Sequence, residues 1–584
     1  MRTLLFIMTL AALSVSGGAA AWAQVATEQL SALTAIMEQV QAFSHRVPAQ
    51  TRPLLSGGAL NLIHLAERFD QIAPGLRQAP AERGRLPGGF PPRNGEEGAL
   101  GLLSLELKQV SDPSTDVTFS SFGGFTQSET ATAWCGDNVV VGFNDSGSIF
   151  ETSSDPRAPI GMSFVGFARS TDQGGSFTDM GFLHPGPMDN FLGGDPVFKC
   201  TDPFTFYGAS LLLRLGTSAI SVSKSTDGGA TFGDPVAAVS KDALTHFLDK
   251  PWMDVDPTDP NRIYLTYTDL NDISGDVCGF DVDGFPVPRN AIELVRSDDG
   301  GATWSAPVAV QEVCGFASFV QGSQVAVGPG GEVYVAWEEF ADFLNRKIAI
   351  RKSTDHGETF GDSVTVDEVT PVGDGFLLQG AFRSAFEFPS LAVDPSASSG
   401  MHGHVYIAWH DARHLVVQDA ITGRYGFADV LLSRSTDGGT TWSPPVQVND
   451  NTEPSGSGLG TDQYQPGVAV DHTGTVGVCF YDRREEAHNF LIDRVCAVST
   501  TAGTSWTTTR MTTQNFAAVP SQDFLVDPFY MGDYDSLATD FTQGTRGFIG
   551  AWGDNTRGNP DVKASAFSPH QAQSSHLRGR DFLR

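Results

Sequence analysis

The chain reads as an all-β protein, a β-propeller of four-stranded antiparallel blades behind a small N-terminal α-helical region, and three observations predict it. One phrase, Ser-x-Asp-x-Gly-x-(Ser/Thr)-(Phe/Trp), occurs six times at intervals of 55 to 82 residues, a period that suits one four-stranded blade with variable loops. Ahead of each copy stands a strand–turn–strand unit whose second strand ends in an acidic residue, as in Val333-Tyr-Val-Ala-Trp-Glu338. The composition, 18% charged residues with 64 glycines, belongs to a folded, turn-rich chain.

In chain order, Arg2, the apolar run Leu4 to Val15 and the small-x-small Ala21-Trp22-Ala23 predict a signal peptide over 1–23. The run is too short to anchor in a bilayer, so a secreted protein, extracellular or periplasmic, is expected, with no membrane insertion after cleavage. Residues 24–77 carry Leu30, Leu33, Ile36, Met37, Val40 and Phe43, then Leu62, Leu65, Ala66 and Phe69 after Gly57-Gly58, all at helical spacing. Pro80, Pro87, Gly88, Gly89, Pro91 and Pro92 mark a linker assigned to 78–110. The propeller is assigned to 111–570 and a tail to 571–584.

The repeated phrase has a structural reading. Asp172, Asp227, Asp299, Asp355 and Asp437 can accept hydrogen bonds from turn amides, the glycines admit positive φ, and the final aromatic can wedge into the blade packing. In the last copy Thr501 replaces the aspartate, which predicts a looser turn. Seven strand–turn–strand units favour seven blades, with six the alternative if one unit is irregular. The last unit lacks the phrase, so a strand from the N-terminal side, Asp116–Phe122, is expected to close the ring and remove two exposed edges.

Six cysteines without a C-x-x-C pair speak for disulfides and against zinc. Their places in the repeats suggest Cys135–Cys200, Cys278–Cys314 and Cys479–Cys496, the last across consecutive antiparallel strands. A formal charge of −31 excludes nucleic acid and anionic membranes as partners. No metal site and no required cofactor is read from the sequence. The acidic excess leaves calcium open, although no contiguous Asp-x-Asp-x-Asp-Gly loop occurs. Oligomeric state is not legible.

The repeated turn joins strands three and four, so function belongs on the opposite face, around the channel. Aligning the units places Asp249, Gln321, Glu387, Tyr464 and Asp533 at one first-strand position, followed by Lys250, Gly322, Phe388, Gln465 and Tyr534. Scaffold positions repeat from blade to blade, whereas these vary. Asp145, Asp269, Glu338, Asp411, Asp482 and Asp554 end the second strands, and Arg413, Arg484 and Arg557 follow in three late blades. Those arginines are candidates for a carboxylate clamp, or for Asp–Arg pairs repeated for architecture. His410 and His414 are lone loop histidines.

Over roughly 125–567 the repeats resemble the Asp boxes of sialidases and of the wider Asp-box propeller superfamily. The resemblance implies a glycoside hydrolase with an arginine-held carboxylate, a tyrosine nucleophile paired with a carboxylate, and an aspartate acid/base. It points to Tyr464, Tyr530 or Tyr534 as nucleophile, Glu387 or Asp533 as its partner and Asp145 as acid/base. Arg413, Arg484, Arg557, Asp249, Lys250 and Gln321 would bind substrate. The chain departs from the family pattern, with no Arg-Ile-Pro before Trp134 and its arginines in consecutive late blades. A secreted sialidase-like hydrolase acting on a glycan at the channel face is therefore the first expectation, and a non-catalytic glycan- or protein-binding propeller the second.

Overall fold

The computed structural model describes residues 27–47, 52, 55, 57–76, 107–112, 125–150 and 162–568, the last with breaks of one to eight residues, of which 452–459 is the longest. The expected signal peptide and C-terminal tail lie outside the described residues. Seven sheets of four main strands each surround a channel, and the innermost strands neighbour one another around the ring. Those strands are, in order, Gln127–Cys135, Val197–Cys200, His246–Val255, Phe319–Val327, Ser390–Val393, Gln463–Val470 and Leu537–Ala538. We number the blades one to seven accordingly. The second strands are buried on both faces and read as nearly continuous apolar runs. Trp337, Trp409 and Trp552 fill equivalent places between blades four, five and seven and their neighbours.

The ring is closed in blade seven by Lys108–Gln109, which pairs with Asp561–Phe567 as Lys108↔Ala564 and Gln109↔Lys563. This strand lies within the segment assigned to the linker. Asp116–Phe122, the strand expected there, is outside the described residues.

The repeated turns explain their own sequence. In the blade-three copy, Asp299 Oδ1 accepts from Thr303 N (2.8 Å) and Ser297 Oγ (2.9 Å), and Oδ2 accepts from Thr303 Oγ1 (2.6 Å). In the degenerate copy Thr501 Oγ1 accepts from Ser505 N (3.1 Å) but offers a single oxygen. In four copies the basic residue ahead of the serine ties its turn to the next. Arg169 Nε donates to Gly228 O (2.7 Å), Lys224 Nζ to Gly300 O (3.2 Å), Arg296 Nη1 to His356 O (2.6 Å) and Arg434 Nη1 to Ala502 O (2.5 Å). Gly439 (φ +86°) shows why glycine is needed, because a Cβ would press on the Tyr334 ring of the previous blade at 3.4 Å.

All three disulfides form as expected. Cys135–Cys200 joins the innermost strands of blades one and two, Cys278–Cys314 ties an insertion to blade three, and Cys479–Cys496 crosses paired strands of blade six.

Two helices precede the ring, α1 over 27–46 and α2 over Gly57–Leu76. Their apolar stripes pack on each other and on blades two and three. Phe43 stacks on Phe247 at 5.1 Å, Arg46 Nη2 donates to Leu244 O (2.6 Å), and Gln39 Nε2 donates to Arg214 O (3.1 Å). Leu244 precedes an innermost strand and Arg214 ends a second strand, so the helices sit on the face opposite the repeated turns. No described helix is long and apolar enough to cross a membrane.

Candidate functional site at the channel mouth

Near that face the innermost strands share an irregularity. Pairing with the second strand shifts between Ser128 and Ala131, Asp249 and Trp252, Gln321 and Gln324, and Tyr464 and Gly467. Within these bulges Glu129, Lys250, Gly322 and Gln465 take left-handed φ of 53°, 50°, 68° and 51°, and Asp195 of blade two takes 53°. A bulge with a left-handed non-glycine residue costs about 1–3 kcal/mol and re-aims a side chain. The internal alignment had found Lys250, Gly322 and Gln465 but not Glu129 or Asp195. The legible signal for Asp195 was a following proline, shared by Lys250-Pro251, Phe388-Pro389 and Gln465-Pro466.

Side chains from blades one, two and seven converge on the lysine of blade three. Lys250 Nζ is 3.0 Å from Asp533 Oδ2 and 3.5 Å from Glu129 Oε1, and lies 4.3 Å from the Tyr534 ring centroid. Asp533 N donates to Glu129 Oε1 (2.8 Å). Asn144 organises the other side. Its Nδ2 donates to Glu129 Oε2 (2.9 Å) and the Tyr530 hydroxyl (2.8 Å), while its Oδ1 accepts from Asp195 N (2.8 Å). Tyr534 Oη donates to Pro196 O (2.9 Å). Lys250, Glu129, Asp195 and Asp533 are all buried.

Burial pushes the Asp195 carboxyl well above the usual carboxylate range and the negative charge of Glu129 pushes it further. Glu129 is raised by burial too, against the pull of Lys250, and the two carboxyls hydrogen-bond when one of them holds a proton. Burial alone would lower the lysine pKa, but Asp533, Glu129, Asp195 and Asp249 outweigh it and Lys250 stays charged. The centre thus gathers one ammonium, a carboxylate salt-bridged to it and two carboxyls whose pKa values burial raises.

Other expected site residues lie in separate places. Asp249 Oδ2 accepts from Gln321 Nε2 (2.8 Å), and Gln321 Oε1 in turn accepts from the Thr268 hydroxyl, so this pair braces blades three and four beside Lys250. Glu387 belongs to a second buried cluster, where it accepts from Arg346 Nη1 (2.6 Å) and Val372 N (2.8 Å). Burial and the charge of Glu387 push the Glu338 carboxyl well above the usual carboxylate range, and burial lowers His410 to about 4. Tyr464 stacks on Tyr481 (5.3 Å) with the Arg483 guanidinium 5.9 Å from its ring centroid, and its hydroxyl has no hydrogen-bond partner among the described residues. Burial raises its pKa, so nothing there activates it as a nucleophile. Burial also raises Tyr534, with Glu129 and Asp195 raising it further.

Asp145 is turned from the channel. Strand alternation sends Asn144 to Glu129 and Asp145 to the other side, where it accepts from Gly147 N (2.8 Å) and is raised by burial and Asp179 to about 7. Arg413 forks Asp411 (3.0 and 2.7 Å) and reaches Asp367 (2.6 Å) at the outer edge of blade four. Arg484 does the same with Asp482 (2.7 Å) and Asp450, beyond the outer strand of blade five. Arg557 lies beside Asp561. The first two have the geometry of inter-blade ties, and the three arginines share no described partner. The arginines buried most deeply are Arg346, Arg483 and Arg494; Arg483 stands next to Arg484 beyond a second strand, whereas Arg346 and Arg494 have no sequence signal because their ring partners, Phe386 and Tyr481, come from other strands. His414 pairs with Asp429 (2.7 Å).

One described group has metal-ligand spacing, His246, Asp269 and Asp276. Asp269 there already holds Lys241 (2.7 Å) and Arg289 (3.4 Å), two cations that oppose a third. Below the carboxyl centre the channel opens into a cavity of about 420 Å³ lined by strand backbones, Trp252, Gln324, His472 and Phe541.

Comparison with known families and with curated proteins finds no match. Solved structures with a similar trace include a Hadza microbial sialidase (15% identity, 70% of this chain and 74% of that one, TM-score 0.38). Others are the GH93 alpha-L-arabinofuranosidase of Fusarium graminearum (12%, 80% and 98%, 0.42) and a sialidase of Streptococcus pneumoniae (10%, 74% and 84%, 0.39). At these identities and scores they carry no argument about activity.

Proposed function

We propose that the protein is a secreted, glycan-acting Asp-box propeller, a glycoside hydrolase whose reacting groups are Glu129, Asp195 and Asp533 around Lys250. The observation that supports this is the gathering of three buried carboxyls from blades one, two and seven around one ammonium, which stands 3.0 Å from Asp533 and 3.5 Å from Glu129. Carboxyls in unlike environments, one beside a cation and others raised by burial, are what acid/base cleavage of a glycosidic bond requires. The Asp195–Glu129 pair would protonate the leaving oxygen, and Asp533, held anionic by Lys250, would serve as base or nucleophile. Trp252, edge-on to Tyr534 at 5.6 Å, would offer a sugar an apolar wall. No cofactor enters this scheme.

The charge balance points to a neutral glycan. Four acidic side chains surround a single ammonium, their excess of negative charge repels the carboxylate of sialic acid, and Arg413, Arg484 and Arg557 do not meet there to clamp one. The second reading, a non-catalytic glycan-binding propeller, is favoured by one fact, the burial of all these carboxyls.

The test is sugar release by the full-length protein from neutral polysaccharides and aryl glycosides and, separately, from α2,3- and α2,6-sialosides. Release from a neutral substrate that falls at least 100-fold in Asp533→Asn and Glu129→Gln supports the hydrolase. Release of sialic acid would restore the sialidase reading, and binding without release would leave the non-catalytic one.

A further inference from the structure

The burial that complicates the hydrolase reading has an identifiable source. The first turn of α2 lies directly on the carboxyl centre, and a Cβ at Gly58 would stand 1.9 Å from Asp195 Oδ1 and 2.6 Å from its Cγ. Three residues on, Asn61 Oδ1 accepts from Asp527 N (2.9 Å) in the loop that carries Tyr530, Asp533 and Tyr534. Leu62 would meet a Cβ at Gly193 at 3.0 Å, beside the Gly194-Asp195 bulge, and Leu525 of the same loop joins the apolar cluster of the helices. So one helix contacts both chain segments that bring Asp195 and Asp533 to Lys250.

We propose that the two N-terminal helices are an intramolecular plug, which closes the channel mouth and must lift from Asp195 and Asp527 before a glycan can reach the carboxyl centre. This rests on the hydrolase reading for the identity of the ligand, but closure itself is independent of any reaction. The contact is built to be intimate. Gly58 is the residue at the contact, and a larger one there would collide with a carboxyl group. The ring does not need the helices to complete its sheets, since blade seven is closed by Lys108–Gln109 and residues 77–106 separate that strand from α2. Plug and ring therefore meet through side chains and capping contacts, without a shared strand, so the helices can leave while the blades stay intact.

The experiment uses the full chain and a small probe, a water-soluble carbodiimide with glycine ethyl ester, which tags accessible carboxyls and is mapped by peptide mass spectrometry. In the wild type, exposed Asp70 should be tagged while Asp195, Glu129 and Asp533 are not. Gly58→Val should raise tagging of those three at least tenfold, with faster amide exchange over 57–76 and no change in blades four to six. Asn61→Ala, a milder change, should move tagging in the same direction and serves if Gly58→Val does not fold. Ready tagging of Asp195 in the wild type overturns the plug, as does unchanged tagging when 57–76 exchanges faster. Turnover is read separately. If tagging rises and Gly58→Val still releases no sugar from neutral glycans, the hydrolase reading fails and the plug stands.

Discussion

Replacing Lys250 by Met tests whether the carboxyl centre is held together by charge. Met keeps the length of the side chain and removes the ammonium that stands 3.0 Å from Asp533 and 3.5 Å from Glu129. Removing one partner of a buried ion pair typically costs about 3–5 kcal/mol, because the other charge is left without compensation. With an unfolding entropy of about 2.1 cal/mol/K per residue, a ring of roughly 450 residues should melt about 4 °C lower for a 4 kcal/mol loss. The deficit must depend on pH, and its sign follows from the carboxyls. Glu129 and Asp195 already have raised pKa values, and without Lys250 they rise further. A carboxyl raised in the fold contributes full stability below its unfolded pKa near 4 and loses it as pH climbs through the folded value. Urea unfolding should therefore find Lys250→Met close to wild type near pH 4 and about 3–5 kcal/mol weaker at pH 8. A deficit under about 1 kcal/mol at pH 8, or one equal at both pH values, would refute the argument.

Four further outcomes are expected. Asp145→Asn should flatten the fall in stability between about pH 4 and pH 7, because Asp145 is raised to about 7 by burial and Asp179; melting curves at several pH values check it. Arg484→Ala leaves Asp482 buried without its partner, so stability should fall by about 3 kcal/mol while binding to a glycan array stays as in wild type. Cys479→Ser should expose Cys496 to thiol labelling in the oxidised protein and cost about 3 kcal/mol for the loop opened. Asp299→Ala should lower the melting temperature with no change in ligand binding, since Thr303 and Ser297 lose their acceptor.

What the sequence disclosed follows the range over which each feature is encoded. The repeated turn is a local device whose bonds run within about five residues, so its architecture, the blade count and the disulfides between repeat-equivalent cysteines could be read directly. The channel positions were readable where a unit keeps the strand pattern, as at Asp249-Lys250 and Asp533-Tyr534. They were not in blades one and two, where Glu129 lies inside the strand Gln127–Cys135 and Asp195 precedes the short strand Val197–Cys200. The stack of Arg483 on Phe382, and the placement of α2 on Asp195, join residues from distant parts of the chain. Helical periodicity reported that Leu62 and Leu65 face something apolar and left unsaid what that is. The two-residue closing strand Lys108–Gln109 is too short to show any alternation.

That closing strand also sets a schedule. Lys108–Gln109 finds its partners only in Asp561–Phe567, made after all the other blades. Intermediate blades can assemble as they emerge, each turn tied to the next, yet the circle has an open seam until nearly the whole chain is available. Loop closure over so long a separation is slow, and an open sheet edge waiting for it is a template for mispairing. In a protein built this way Lys108–Gln109 is the latch, and the ring stays open until the strand it pairs with has been made.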